Sequence, residues 1–226
     1  TGVITFHGPL KLTSPADKAI NAAVVESVGA ASWDTASRIV GYNFGAFVNS
    51  GTLDIPVPVS VVYGGFGFGP RFVNTGLVNA ATNVTFSSVN FLNTGQWDAT
   101  AGTFVSSASN FTNRGILNLT LAGVLHLDSG SAFLDGAIAA PAPDSLRFRG
   151  AEVAIDTIQL STPSLWQSAG IVRQRTNVVV AEYHQSGGTW LSATLPVSLG
   201  AYAMTNLVFA EALSQSSLSL SISKQV

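Results

Sequence analysis

Hydrophobic positions along this chain fall in short alternating runs, and the same polar residues recur between them. Four segments carry one pattern, Phe-x-Asn-x-Gly-x-apolar-Asx: Phe47 to Asp54, Phe72 to Asn79, Phe91 to Asp98 and Phe111 to Asn118. Their glycines, Gly51, Gly76, Gly95 and Gly115, stand 25, 19 and 20 residues apart. Weaker echoes follow around Gly130, Gly150, Gly170 and Gly187, at steps of 15, 20, 20 and 17. A second register matches Thr85-Phe86-Ser87-Ser88 with Thr103-Phe104-Val105-Ser106. A recurring period of about 20 residues without helical faces predicts an all-β fold, a parallel β-helix whose coils stack at about 4.8 Å. A β-sandwich also has short strands and regular turns, but it does not require one residue type at one place in every repeat.

Each column has a physical reason. Phe47, Phe72, Phe91 and Phe111 are expected to point inward and stack as a core column. Asn49, Asn74, Asn93 and Asn113 are expected to form a turn ladder, since stacked amides bond one another along the axis. Gly51, Gly76, Gly95 and Gly115 are expected to supply the positive φ or tight bend that turns one strand into the next.

Three segments lie outside the repeat. Residues 14–29 predict a short helix, with Ser14 as cap, Pro15 at the first helical position, and Ile20, Val24 and Val28 every fourth residue. That helix would cap or flank the first coil. The long step contains an insertion, 56–70, whose Tyr63, Phe66 and Phe68 offer an adaptable aromatic surface. Ser217 to Lys224 alternates strictly, placing Leu218, Leu220 and Ile222 on one face of a strand that closes the last coil or pairs with a neighbour. The expected divisions are 1–46 for the N-terminal strand and helix, 47–190 for the coils, and 191–226 for C-terminal strands.

Composition narrows the function classes. Only 10% of the 226 residues are charged and the net charge is -2, against about 25% charged in an average domain. Such a chain lacks the basic stripe that nucleic acid requires. With 46% hydrophobic residues it is not disordered, and without cysteine it has neither disulfides nor thiolate chemistry. The stretch from Tyr183 to Ala210 carries no Asp, Glu, Lys or Arg, yet its Gln, Ser, Asn, Gly and Pro residues argue against a membrane span. Like stacking on like also explains the low charge, because a charge in any column faces its own kind one coil away.

No catalytic signature emerges. His7, His126 and His184 lack metal-ligand spacing, and no cofactor motif is present. Asp54 and Asp98 share a column with Asn79 and Asn118, which sets the two acids about 10 Å apart on strand spacing. Arg147 and Arg149 share a strand face, as do Arg173 and Arg175. Such pairs either meet an anionic glycan or a partner's carboxylates, or are solvated beside Glu152 and Asp156.

The Phe-x-Asn-x-Gly coils resemble those of filamentous-haemagglutinin-like proteins and the long β-helical surface proteins of Gram-negative bacteria. The likeness runs well from Phe47 to Gly130 and loosely from Phe148 to Gly187. It implies a secreted, right-handed β-helix in a bacterial fibre, adhesin or matrix. The expected function is a non-enzymatic extracellular or cell-surface solenoid that assembles with itself by strand stacking. The alternatives are a carbohydrate-active β-helix enzyme, a polysaccharide lyase or glycosidase, and a passive module for surface glycans.

Overall fold

The computed structural model describes residues 2–65, 69–120, 122–156, 160–175, 178–192, 197–204, 208–209 and 221–222. Every described element is a β-strand, and all pair in parallel into three sheets of 11, 8 and 11 strands. The chain visits the sheets in turn. The first begins Gly2–Phe6, Ala23–Ser27, Ala46–Asn49; the second Leu10–Leu12, Ala30–Trp33, Thr52–Ile55; the third Lys18–Asn21, Arg38–Tyr42, Val59–Tyr63. Three strands make one coil of about 21 residues, and the coils stack as a β-solenoid. Register fixes the columns: Ala46 pairs with Arg71, Arg71 with Asn90 and Asn90 with Asn110.

Alternation decides which side chains fill the interior. In Asn90–Asn93, Phe91 and Asn93 are buried while Asn90 and Leu92 face out, and the same beat holds along the neighbouring strands. Phe47, Phe72, Phe91 and Phe111 stack in one inward column, with ring centroids 5.5, 6.1 and 4.7 Å apart and nearly parallel planes. Trp97 and Phe104 pack beside them, stacked on each other at 4.8 Å. Each such ring removed from water contributes about 1.5–3 kcal/mol, and the offset stacking adds to that. Further along, Ala132, Val153, Val172 and Trp190 continue the phenylalanine column.

Residues 14–29 form no helix. Lys18–Asn21 and Ala23–Ser27 are strands of the third and first sheets, joined at Ala22, which takes φ 48° to turn the corner. The fourfold spacing of Ile20, Val24 and Val28 is a coincidence of two strands meeting at a corner. Ile20 points inward from one, and Val25 enters the phenylalanine column from the other. Ladder pairing, of Lys18–Asn21 with Arg38–Tyr42 and of Ala23–Ser27 with strands on both sides, overrides local helix propensity. Asp17, placed by that reading in a first helical turn, instead pairs with Arg38 one coil on.

The 56–70 insertion is also shorter as a loop than its sequence suggests. Val59–Tyr63 is a strand, with Val59 and Val61 inward beneath Val84 and Phe86. The extra length lies between Tyr63 and Arg71, where most coils turn in two or three residues.

Candidate functional site

The buried asparagines form a continuous ladder at the corner between the first and second sheets. Asn49 Nδ2 donates to Asn74 Oδ1 at 2.8 Å, Asn74 Nδ2 to Asn93 Oδ1 at 2.8 Å, and Asn93 Nδ2 to Asn113 Oδ1 at 2.7 Å. The second amide hydrogen is used too, on backbone carbonyls: Leu77 O for Asn49, Gln96 O for Asn74 and Ile116 O for Asn93. Each asparagine carbonyl accepts from two turn amides of the next coil, as Asn74 O does from Thr94 and Gly95. The ladder ends where the column changes type, at Ser27 on one side and Leu134 on the other.

The glycines beside it hold their place for a reason other than the expected one. None of Gly51, Gly76, Gly95 and Gly115 has positive φ. A Cβ on each would collide with backbone of the preceding coil, and for Gly76, Gly95 and Gly115 the nearest atom is the carbonyl oxygen of the previous glycine in the column. The requirement is close approach of two backbones. Gly136 continues this column, its Cβ position blocked by Gly115 O. Gly130, Gly150 and Gly170, by contrast, lie at the corner between the third and first sheets. The short step of 15 from Gly115 to Gly130 is therefore a change of corner, not a short coil.

The described strands nearest the N-terminus pair on one side only. Gly2–Phe6, Leu10–Leu12 and Lys18–Asn21 stand at the ends of the three sheets. Ile4 tops the column of Val25 and Phe47, yet it is 53% exposed where Phe47 is 2%. Of the residues expected to mediate self-association, Tyr63 ends a third-sheet strand, and Ile222 pairs with Leu199 in parallel. Phe66, Phe68, Leu218 and Leu220 lie outside the described residues.

Chemistry gathers most densely on the outer face of the third sheet, at a place only partly visible in the sequence. Register puts His126, Arg147, Trp166 and His184 in one outward column over four coils. Trp166 and His184 stack at 4.1 Å with planes 11° apart, and the Arg147 guanidinium lies 5.8 Å from the Trp166 ring centre on the side of the preceding coil. Arg149 Nη1 donates to His126 Nδ1 at 2.9 Å, and Asp128 and Asp144 supply counter-charge to Arg149 and Arg147. The signal was available in the spacings 126 to 147 to 166 to 184, each close to one coil.

Burial first, then the positive charge of Arg149, holds the His126 imidazole below its ordinary 6.5; Asp128 opposes and Arg147 reinforces. A histidine so depressed contributes stability fully present above the unfolded value near 6.5 and lost as pH falls from there toward the folded value. The urea midpoint should therefore drop between pH 7.5 and 5.5, and His126→Gln should flatten that slope. An unchanged slope in the variant would show that His126 does not carry it.

Elsewhere the surface is more neutral. Along the first sheet Val73, Leu92, Thr112 and Phe133 make an outward stripe, over shallow depressions of 370 and 310 Å³ that meet at Asn110 and Thr112. Arg173 and Arg175 pair there with Glu152 and Asp156. On the second sheet Asn79 Nδ2 donates to Asp54 Oδ1 and Asn118 Nδ2 to Asp98 Oδ1, both at 2.7 Å. The two acids are held in separate amide pairs, with Asn79 between them. Among the described residues no cluster of three metal-ligating side chains occurs, and no helix is long and apolar enough to cross a membrane. Comparison with protein-family models, curated proteins and solved structures returned no match.

Proposed function

We propose that this chain is a non-enzymatic structural solenoid. It is right-handed, extracellular or cell-surface, built like the coils of filamentous-haemagglutinin-like fibres, and it assembles with further copies by stacking coil on coil. The observation that supports this is the set of columns that stack or bond on their own kind from coil to coil, Phe47 to Phe111 and Asn49 to Asn113. Parallel coils that pair like on like are templates for further coils. Stacking between copies along the axis is head-to-tail, and head-to-tail contacts that do not close into rings make filaments.

Sedimentation velocity and negative-stain imaging over a concentration series test the reading. The expected result is growth into filaments one solenoid wide, blocked by Ile4→Lys, which puts a charge into an inward column at the edge while leaving the monomer's circular dichroism unchanged. Short monodisperse particles at the highest concentration would sink the polymer claim.

A further inference from the structure

We infer that two copies of this chain pair side by side with parallel axes, the first sheet of one against the second sheet of the other. Ile116 of one copy seats on Leu92 of the other, and Asp98 of the same copy meets the other's Arg71. Charge singles out these two faces. Asp17, Asp128, Asp135, Asp144, Glu152 and Asp156 each lie beside an arginine. The side chains of Asp54 and Asp98 on the second sheet instead accept only from the neutral amides of Asn79, Gln96 and Asn118, which leaves their charge uncompensated. Among the described residues Arg71 is the one arginine in no ion pair. It borders the 370 Å³ depression of the first sheet, in which Leu92 is half-buried. Ile116 stands out from the second sheet at 43% exposure, on the strand next to that of Asp98.

Register makes the two faces complementary. From Leu92, Arg71 is reached by going one coil back, to Val73, and two residues toward the N-terminus of the strand. From Ile116, Asp98 is reached by going one coil back, to Gln96, and two residues toward the C-terminus. Both sheets wind in one sense around the same stack, so with axes parallel their strands run in opposite directions across a face-to-face contact. The two steps therefore coincide in space, and seating Ile116 on Leu92 brings Asp98 to Arg71. The same register sets Asn90 opposite Asn118, and Val48 opposite Leu77 two coils back. An apolar contact with polar and charged pairs beside it has the make-up of a protein interface. A second copy is the occupant that fits, because it shares the coil spacing of about 4.8 Å and so keeps this register over several coils. The contact uses side faces and neither end of the stack, so it goes beyond head-to-tail growth and does not depend on it.

The chain has no cysteine, so thiol cross-linking tests the contact directly. Full-length Leu92→Cys and Ile116→Cys chains are mixed and treated with a short bis-maleimide, and linked dimer is read by denaturing electrophoresis. The mixture should link, and either variant alone should not. Adding Arg71→Asp to the Leu92→Cys chain should cut the yield about tenfold at limiting protein concentration, as loss of an interfacial charge pair predicts. Adding Asp98→Arg to the Ile116→Cys chain should then restore it. Asp54→Arg makes the same charge change two coils away and should not restore it. All variants are matched by circular dichroism and urea midpoint. End-to-end stacking alone does not bring positions 92 and 116 of two copies together, so the result is separate from filament growth. No linked dimer from the mixture, equal linking within one variant alone, or equal rescue by Asp54→Arg would each overturn the pairing.

Discussion

Replacing Gly95 by alanine should unfold the central coils under conditions where the parent is fully native. The added Cβ would lie 2.1 Å from Gly76 O, far inside van der Waals contact, with Thr75 carbonyl atoms at 2.6 and 2.7 Å. All of these are backbone, so no flexible side chain can swing away. Gly76 O is also fixed by its bond from Gln96 N at 2.8 Å. Separating the two turns to admit a methyl group therefore breaks ladder bonds on both sides, and Gly115 depends on Gly95 in the same way. The expected loss is at least about 4 kcal/mol, in the range reserved for a core that cannot relax. Gly8→Ala is the control, since a Cβ there meets nothing within 4 Å, and it should stay within about 0.5 kcal/mol of the parent. Urea unfolding followed by circular dichroism reads both. If Gly95→Ala proves as mild as Gly8→Ala, the close-approach account of this column fails.

That column also shows how far sequence pattern reaches. The recurrence of Phe, Asn and Gly at one place per coil was enough to place a stacked solenoid, because parallel in-register pairing brings identical residues together and rewards those that stack. It did not reveal why glycine is there. A turn needing positive φ and a turn needing backbone contact leave the same letter, and only the neighbouring coil tells them apart. Phe86 and Phe104 illustrate a second limit. Their sequence contexts match each other, whereas Phe86 pairs with Ser106 and Val84 with Phe104. A shift of two residues keeps every side chain on its face, so alternation alone cannot detect it.

The N-terminal segment failed for a different reason. Local signals over residues 14–29 favour a helix, but strands paired with the next coil, and in Ala23–Ser27 with coils on both sides, gain more from the ladder than from their own turns. The outward column on the third sheet was half legible, since Arg147 and Arg149 stood out as a pair. Trp166 and His184 joined them only once the coil length was applied across the corner.

The asparagine ladder yields the sharpest chemical test. Asn93→Asp conserves shape and changes only what the side chain can give. Asn93 accepts from Asn74 Nδ2, and donates to Asn113 Oδ1 and Ile116 O. A carboxylate can still accept, but it then faces two oxygens without a proton, at a position with 0% exposure. An uncompensated buried charge costs about 3–5 kcal/mol, so the variant should be strongly destabilised at pH 7. Burial raises the folded pKa of such an acid above its unfolded value of about 3.9. The lost stability should accordingly return as pH falls through the folded value, when the protonated acid again donates to Asn113. The opposite change, Ser27→Asn, should stabilise by about 1 kcal/mol. Ser27 Oγ and Asn49 Oδ1 are column neighbours, both buried without a hydrogen-bond partner, and an amide at 27 supplies the missing donor. The contrast with the outward second-sheet column, where Asp54 and Asp98 alternate with Asn79 and Asn118, isolates the cause. Its side chains are half-buried or exposed and Gln96 Nε2 also donates to Asp98, so either residue serves. Inside the coil only an amide both gives and accepts along the axis. If Asn93→Asp unfolds at the parent's urea midpoint at both pH 7 and pH 4, the ladder is not what fixes the register of these coils.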